Sequence, residues 1–260
     1  YHVVATYDDA SKTGKIYIDG ILNSTKTNFT LTRGDTSQNL EIGYNSNNTN
    51  AFFSGALDDV RIYNRALSPD EIKRLYRIGA TLKANVSRTD TLTQGLTGYW
   101  TFDGQHIAGE RAYDQSGNTN TGLLTNGPRR AAGRIGQALD FDGVNDDVRV
   151  TQSSSINDMG AISVSAWIYP RSQGESNAAK IVNKQSGGDT PISGWFFSIA
   201  AAITNGISFQ VDYDGASNLT KRSLASTLTL NEWQHVVVTW DGSAAADQVH
   251  ILKNAAEVTY

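Results

Sequence analysis

Apolar and polar residues alternate with a period of two along much of this chain. Val164, Ala166 and Ile168 alternate with Ser163, Ser165 and Trp167, the spacing of a strand buried on one face. Similar short runs stand at 40–44 (LEIGY), 98–102 (GYWTF), 138–141 (ALDF), 147–150 (DVRV), 180–184 (KIVNK), 195–200 (WFFSIA) and 207–213 (ISFQVDY). Gly, Asn, Asp and Ser fill the intervals, as turns require. Many short strands with polar turns between them predict an all-β chain, a sandwich or jelly roll. One segment breaks the period. Ser68-Pro69-Asp70-Glu71 combines an N-cap, a proline at N1 and a glutamate at N3, which makes a capping box. Ile72, Leu75, Tyr76 and Gly79 add an apolar stripe and a stop, so a short helix is predicted there.

The chain also repeats itself. Tyr1-His2-Val3-Val4-Ala5-Thr6-Tyr7-Asp8 aligns with Gln234-His235-Val236-Val237-Val238-Thr239-Trp240-Asp241. Downstream, Ile16-Tyr17-Ile18-Asp19-Gly20 runs parallel to Ile251-Leu252-Lys253-Asn254-Ala255, after a loop two residues longer. The agreement spans a strand, a turn and a second strand. Residues 1–79 therefore read as the C-terminal half of one repeat, 80–95 as a linker, and 96–260 as the N-terminal part of the next. On this reading the chain is a fragment of a tandem array.

Composition narrows the classes. The 260 residues carry a formal charge of −4 without a long basic run. Nucleic acid is not an expected partner, because counterion release needs clustered Lys and Arg. Twenty of the 26 acidic residues are Asp, the residue of turns, caps and small-cation sites. Cysteine is absent, which removes disulfides, thiolate nucleophiles and thiolate metal sites. No apolar run approaches the roughly 18 residues of a membrane-crossing helix, and no membrane insertion is expected.

Three groups of motifs carry a family resemblance. The first is GLTGYWTFDG, with YDQSGNTNTGLLTNGP and GRIGQALDFDGVNDDVRV after it. The second is ISVSAWIYP, followed by KIVNK, GWFFSI and EWQHVVVTWDG. The third is FSGALDDVRIYNRALSPDEIKRLY. Together they resemble the laminin G-like, concanavalin A-like jelly-roll domains of bacterial exported proteins. The resemblance implies two antiparallel sheets, frequent calcium binding, a secreted or cell-surface location, and adhesive or glycan-binding roles. Here the halves run back-then-front, so a complete sandwich requires assembly in circularly permuted order. GALDDVRIYNRAL is then expected beside GYWTFD, with one copy of the Val-Val-x-Thr strand redundant at an edge.

The resemblance also points to calcium, with Asp103, Asp114, Asn118 and Asp58 as ligands, since hard cations take several oxygens from Asp- and Asn-rich turns. A plainer reading has Asp114 and Ser116 organising an Asx turn, with Gly117 left-handed. The four histidines lack metal-like spacing. Glycoside hydrolysis with retention of anomeric configuration needs two carboxylates about 5–5.5 Å apart. On one strand that takes acidic residues two apart, and no glutamate stands so. Asp140 and Asp142 have the spacing but flank a turn. The expected function is a non-catalytic extracellular module that recognises glycans or surface proteins, with neighbouring repeats of the same polypeptide as further partners. A structural spacer, or an accessory domain beside a carbohydrate-active enzyme, are the alternatives. Trp100, Trp167, Trp195, Trp233 and Trp240 are candidates for sugar stacking or for the core.

Overall fold

Alternating apolar residues pair up as strands and bury their shared face, as they do in the two large sheets of this chain. The computed structural model describes residues 3–8, 13–18, 21–27, 39–44, 52–68, 70–72, 74–75, 91–157, 159–174, 179–185, 194–200, 203–213 and 218–260, of which 3–27 as backbone alone. The first strands are β1 (Val3–Asp8), β2 (Thr13–Ile18), β3 (Ile21–Thr27), β4 (Leu40–Ile42) and β5 (Ser54–Tyr63). After them come β6 (Leu96–Trp100), β7 (Ile107–Ala108), β8 (Arg111–Ala112), β9 (Gly122–Thr125), β10 (Arg129–Ala132), β11 (Gln137–Asp142) and β12 (Asp147–Val150). The last are β13 (Ile162–Pro170), β14 (Lys180–Gln185), β15 (Gly194–Ile199), β16 (Ile207–Asp212), β17 (Leu219–Arg222), β18 (Gln234–Trp240), β19 (Val249–Lys253) and β20 (Ala256–Glu257).

Two large antiparallel sheets make the sandwich. One has eight strands in the order β10-β11-β5-β13-β18-β19-β20, with β6 also on β5; the other has nine, β17-β16-β15-β14-β4-β12-β9-β8-β7. A separate three-stranded sheet holds β1, β2 and β3. Both large sheets mix the two ends of the sequence. β4 lies between β14 and β12, and β5 lies between β13 on one side and β11 with β6 on the other. GALDDVRIY thus pairs with GYW as expected, Val60 opposite Trp100 and Ile62 opposite Gly98.

The core fills from the facing sides. Leu57, Val60, Ile62, Val164, Ala166, Ile168, Val236, Val238 and Trp240 come from the eight-stranded sheet, and Ile42, Val148, Phe197 and Phe209 from the nine-stranded one. Trp100, Trp167, Trp195 and Trp240 are buried, so four of the five tryptophans are core or sheet-covering residues, while Trp233 packs on Tyr169 with ring centroids 5.7 Å apart. Trp100 Nε1 donates to the Asn120 carbonyl at 2.9 Å and Trp240 Nε1 to that of Ser243 at 2.7 Å, as buried indoles require.

The back of the eight-stranded sheet is covered as well. Ser163, Ser165 and Trp167, read from their alternation as a solvent side, are buried. A second apolar cluster lies there, in which Leu67, Ile72, Leu75 and Leu92 pack with Tyr63, Val237 and Leu252 and Leu67 N–H donates to Ser163 Oγ, while His235 bonds Ser165 and Arg134 stands over the Trp167 ring. The capping box forms: Ser68 N–H donates to Glu71 Oε2 at 2.9 Å and Glu71 N–H to Ser68 Oγ at 3.3 Å. Most of the expected linker, 80–90, lies outside the described residues.

Candidate functional site

Direct cross-strand partners share a face, so the strand registers locate what each side of the nine-stranded sheet presents. One row crosses it from edge to edge: Arg111 faces Leu123, Leu123 faces Arg149, Arg149 faces Glu41 and Glu41 faces Asn183. It continues from Asn183 to Phe196, Gln210 and Thr220. Ile42, Val148, Phe197 and Phe209 point into the core one residue away, so this row lies on the outer face. Polar residues are the rule on the outer face of a β-sandwich, but Glu41 and Asn183 in this row are buried.

Along most of the row the polar groups hold one another. Asn183 Nδ2 donates to Glu41 Oε2 at 2.9 Å, and Arg149 Nε to Asp147 Oδ2 at 2.7 Å. Asp212 accepts from the amides of Gln185 and Gln210. Lys180 Nζ lies 3.4 Å from the centroid of the Phe196 ring. Burial lowers the Lys180 ammonium to about 8, with Asp212 opposing that shift. Burial likewise raises Asp147 to about 6, against the pull of Arg149 and with a further push from Glu41. Glu41 and Asp147 come from neighbouring strands, a pairing that a search along single strands does not see. A pattern of acidic residues in β-runs predicted to be neighbours is the signal that would have found them.

The row opens to solvent at its β8–β9–β12 end. There a hollow of about 420 Å³ is walled by Arg111, Asn118, Thr121, Arg149, Gln152 and Ser153. Leu123, 48% exposed, stands between the two arginines on its floor. Arg149 is anchored to Asp147 and still 43% exposed along its side chain. A second hollow of about 410 Å³, lined by Leu96, Thr97, Ser155, Asn157 and Met159 among others, lies across Asn118 from the first.

The four residues expected to hold calcium fall on two different turns. Asp114 Oδ1 accepts the N–H groups of Tyr99 (2.9 Å) and Ser116 (2.8 Å), and its Oδ2 accepts the Ser116 hydroxyl (2.7 Å) and Asn120 N–H (3.0 Å). Asn118 Nδ2 donates to the Leu96 carbonyl at 3.0 Å, and Gly117 is left-handed with φ 94°. That is the Asx-turn arrangement. Asp58 and Asp103 meet at the other turn, 133–137: Asp58 Oδ2 accepts Ile135 N–H and Asp103 Oδ1 accepts Gln137 N–H, both at 2.8 Å. Each is next to a non-glycine residue in the left-handed region, Asp59 and Phe102, both at φ 56°. Asp58 is fully buried, and its Oδ1 has no hydrogen-bond partner among the described residues. Burial first, then Asp59 and Asp103, raise its carboxyl to about 8. A cation beside Oδ1 would relieve both the orphaned oxygen and the repulsion, so this pair fits calcium in part. Among the described residues no group of three or more His, Cys, Asp or Glu is placed to hold a metal.

A family model described as the concanavalin A-like lectin/glucanase superfamily, of the laminin G type, matches residues 1–73 and 142–259. That is most of the chain. The chain belongs to the concanavalin A-like lectin/glucanase superfamily. No curated protein and no solved structure matches it significantly. The two matched stretches of this laminin G-like chain each contain one copy of the repeated hairpin, and β4 and β5 of the first complete the sheets of the second. Membership in the superfamily supports a module that binds carbohydrate or protein.

Proposed function

We propose that this laminin G-like chain is a non-catalytic glycan-binding module of an extracellular protein, and that its site is the hollow between Arg111 and Arg149. The observation that carries this reading is the pair of guanidiniums on one face, two strands apart, across an open hollow lined by hydroxyls and amides. Two strand spacings put their backbones roughly 10 Å apart. Hydroxyl and amide side chains match sugar hydroxyls, and planar guanidiniums bind carboxylate or sulfate in pairs of hydrogen bonds. The ligand class is therefore a glycan with an acidic group. Titration calorimetry with an oligouronate and with a neutral oligosaccharide of equal length tests it. Binding of the oligouronate alone, weakened at least about tenfold by Arg111→Ala, is expected; equal affinity for both sugars, or no change in the variant, contradicts it.

Absence of catalysis rests on the state of the carboxylates on this face. Asp147 is fully buried and clasped by Arg149, and Glu41 is buried and holds Asn183. Neither faces open space where a glycosidic bond could sit; Asp140 and Asp142 share β11 instead of flanking a turn, with Asp140 paired to Arg171 and Asp142 accepting the N–H groups of Val144 and Asn145. Release of reducing sugar from an acidic glycan, lost in Asp147→Asn, would overturn this part.

Calcium belongs to the proposal at Asp58 and Asp103. The orphaned Asp58 Oδ1 supports it, and the ion would there neutralise a buried carboxylate and lock the 133–137 turn. We also assign 1–79 and 96–260 to successive repeats, joined through 80–95. The spacer alternative predicts no glycan binding by this chain and falls or stands with the calorimetry; the accessory-domain alternative turns on whether a carbohydrate-active enzyme is attached to it.

A further inference from the structure

Two parts of the chain are the same three-stranded unit. In β1–β2, Val3 faces Ile18, Val4 faces Tyr17 and Ala5 faces Ile16; in β18–β19, Val236 faces Lys253, Val237 faces Leu252 and Val238 faces Ile251. The third strand keeps step. Ile18 faces Ile21 and Tyr17 faces Leu22 in the first unit, as Lys253 faces Ala256 and Leu252 faces Glu257 in the second. The register of all three strands therefore follows the sequence repeat residue for residue. Asn254 and Ala255 close the second turn with φ 50° and 64°, the left-handed pair for which Asp19-Gly20 is a preferred sequence.

The units differ in what lies on the far edge. β18 uses it to pair with β13 from Ile162 to Ile168. β1 stands at the end of its own sheet, with β2 as its partner there. Its second edge is the one by which its twin holds β13. The tether is also suited, because β3 leads through 28–39 into β4 and β5, and β5 lies against the opposite edge of β13. Twelve extended residues span roughly 40 Å.

We infer that β1–β3 is an interchangeable partner of β13 within the same chain. In one seating β18–β20 lies beside Ile162–Ile168; in the other β1–β3 takes that place in the same register and β18–β20 is released. The seating in the structure is the favoured one for a reason visible in the residues. β18 puts Val236, Val238 and Trp240 into the core, whereas the matching positions of β1 are Val3, Ala5 and Tyr7. The smaller set fills the same space less well. An intramolecular partner outcompetes a second copy, because a short tether sets an effective concentration near millimolar.

Cysteine trapping in the full chain tests this, since the sequence contains no cysteine. Ser165 faces Val237, so Ser165→Cys with Val237→Cys reports the seating seen here. Ser165→Cys with Val4→Cys reports the exchanged one, and Ser165→Cys with Ala5→Cys is a control one residue out of register, on the wrong face. Under mild oxidation, monomeric disulfide is read by non-reducing gels and peptide mass mapping. The Val237 pair should close and establish that cysteine at 165 is tolerated. The Val4 pair should close at least about tenfold faster than the Ala5 control, and faster again by about tenfold once Val238→Ala gives β18 the alanine that β1 carries. A Val4 pair no faster than the control in both backgrounds, or disulfides found only between chains, overturns the inference.

Discussion

Asp58, on β5, and Asp103, three residues past the end of β6, hold one turn, Asp58 through Ile135 N–H and Asp103 through Gln137 N–H. Asp58 sits where β5 changes partner, from β11 at Leu57 to β6 at Val60, and beside a bulge of β5 in its pairing with β13. The positive φ of Asp59 is the backbone expression of that switch. One buried carboxylate thus joins the segment 54–63 to the turn that opens GRIGQ.

This makes stability fall with rising pH over a defined window. The Asp58 carboxyl titrates at about 8 in the folded chain, raised by burial from the ordinary 3.8. Between those values the folded state keeps a proton that the unfolded chain has released, so stability is full below the lower value and declines as pH climbs through the upper one. Asp58→Asn carries an amide donor in place of the protonated hydroxyl. In metal-free buffer its Tm should match the wild type near pH 4 and exceed it at pH 8.

Calcium should reverse the order. Binding only the folded state, it raises Tm with concentration. At pH 8 wild-type Tm should rise between chelator and excess calcium, and Asp58→Asn and Asp103→Asn should lose that rise. An unchanged wild-type Tm removes calcium from the account.

Gly136 has φ +66°, and a Cβ there would run into Asp103 Oδ1. Gly136→Ala should destabilise by about 1–3 kcal/mol through strain at the left-handed position. Chemical denaturation with the m-value unchanged is the check.

The two ends of the sequence share one core, so they should unfold together. Ile62 is fully buried between Gly98 of β6 and Val164 of β13. Ile62→Ala should cost about 2–5 kcal/mol and shift one transition seen alike by tryptophan fluorescence and circular dichroism. Two separate transitions, only one of them moved, would show the segments fold apart.

Local features are legible in the sequence itself. The capping box at Ser68–Glu71, the strands around ISVSAWIYP and EWQHVVVTWDG, and the pairing of GALDDVRIY with GYW each follow from short-range pattern or from the order of motifs. The polar row was not, because Glu41, Asn183, Phe196 and Gln210 are brought together by strand order and not by spacing. The burial of Ser163 and Ser165 was hidden for a similar reason. Alternation tells which residues share a face, not whether a segment distant in sequence, such as the one carrying Leu67, Ile72 and Leu75, covers it. Asp58 and Asp103 meet at the 133–137 turn, while Asp114 and Asn118 lie at another, where Asp114 spends its oxygens on the backbone of Tyr99, Ser116 and Asn120.

The most direct test of the account is a glycan array probed with the full chain and with Arg111→Ala. The account predicts signal concentrated on glycans bearing carboxylate or sulfate, falling as salt rises and largely lost in the variant. Signal on neutral glycans that the variant retains, or no signal on any glycan while the chain remains folded, would contradict it.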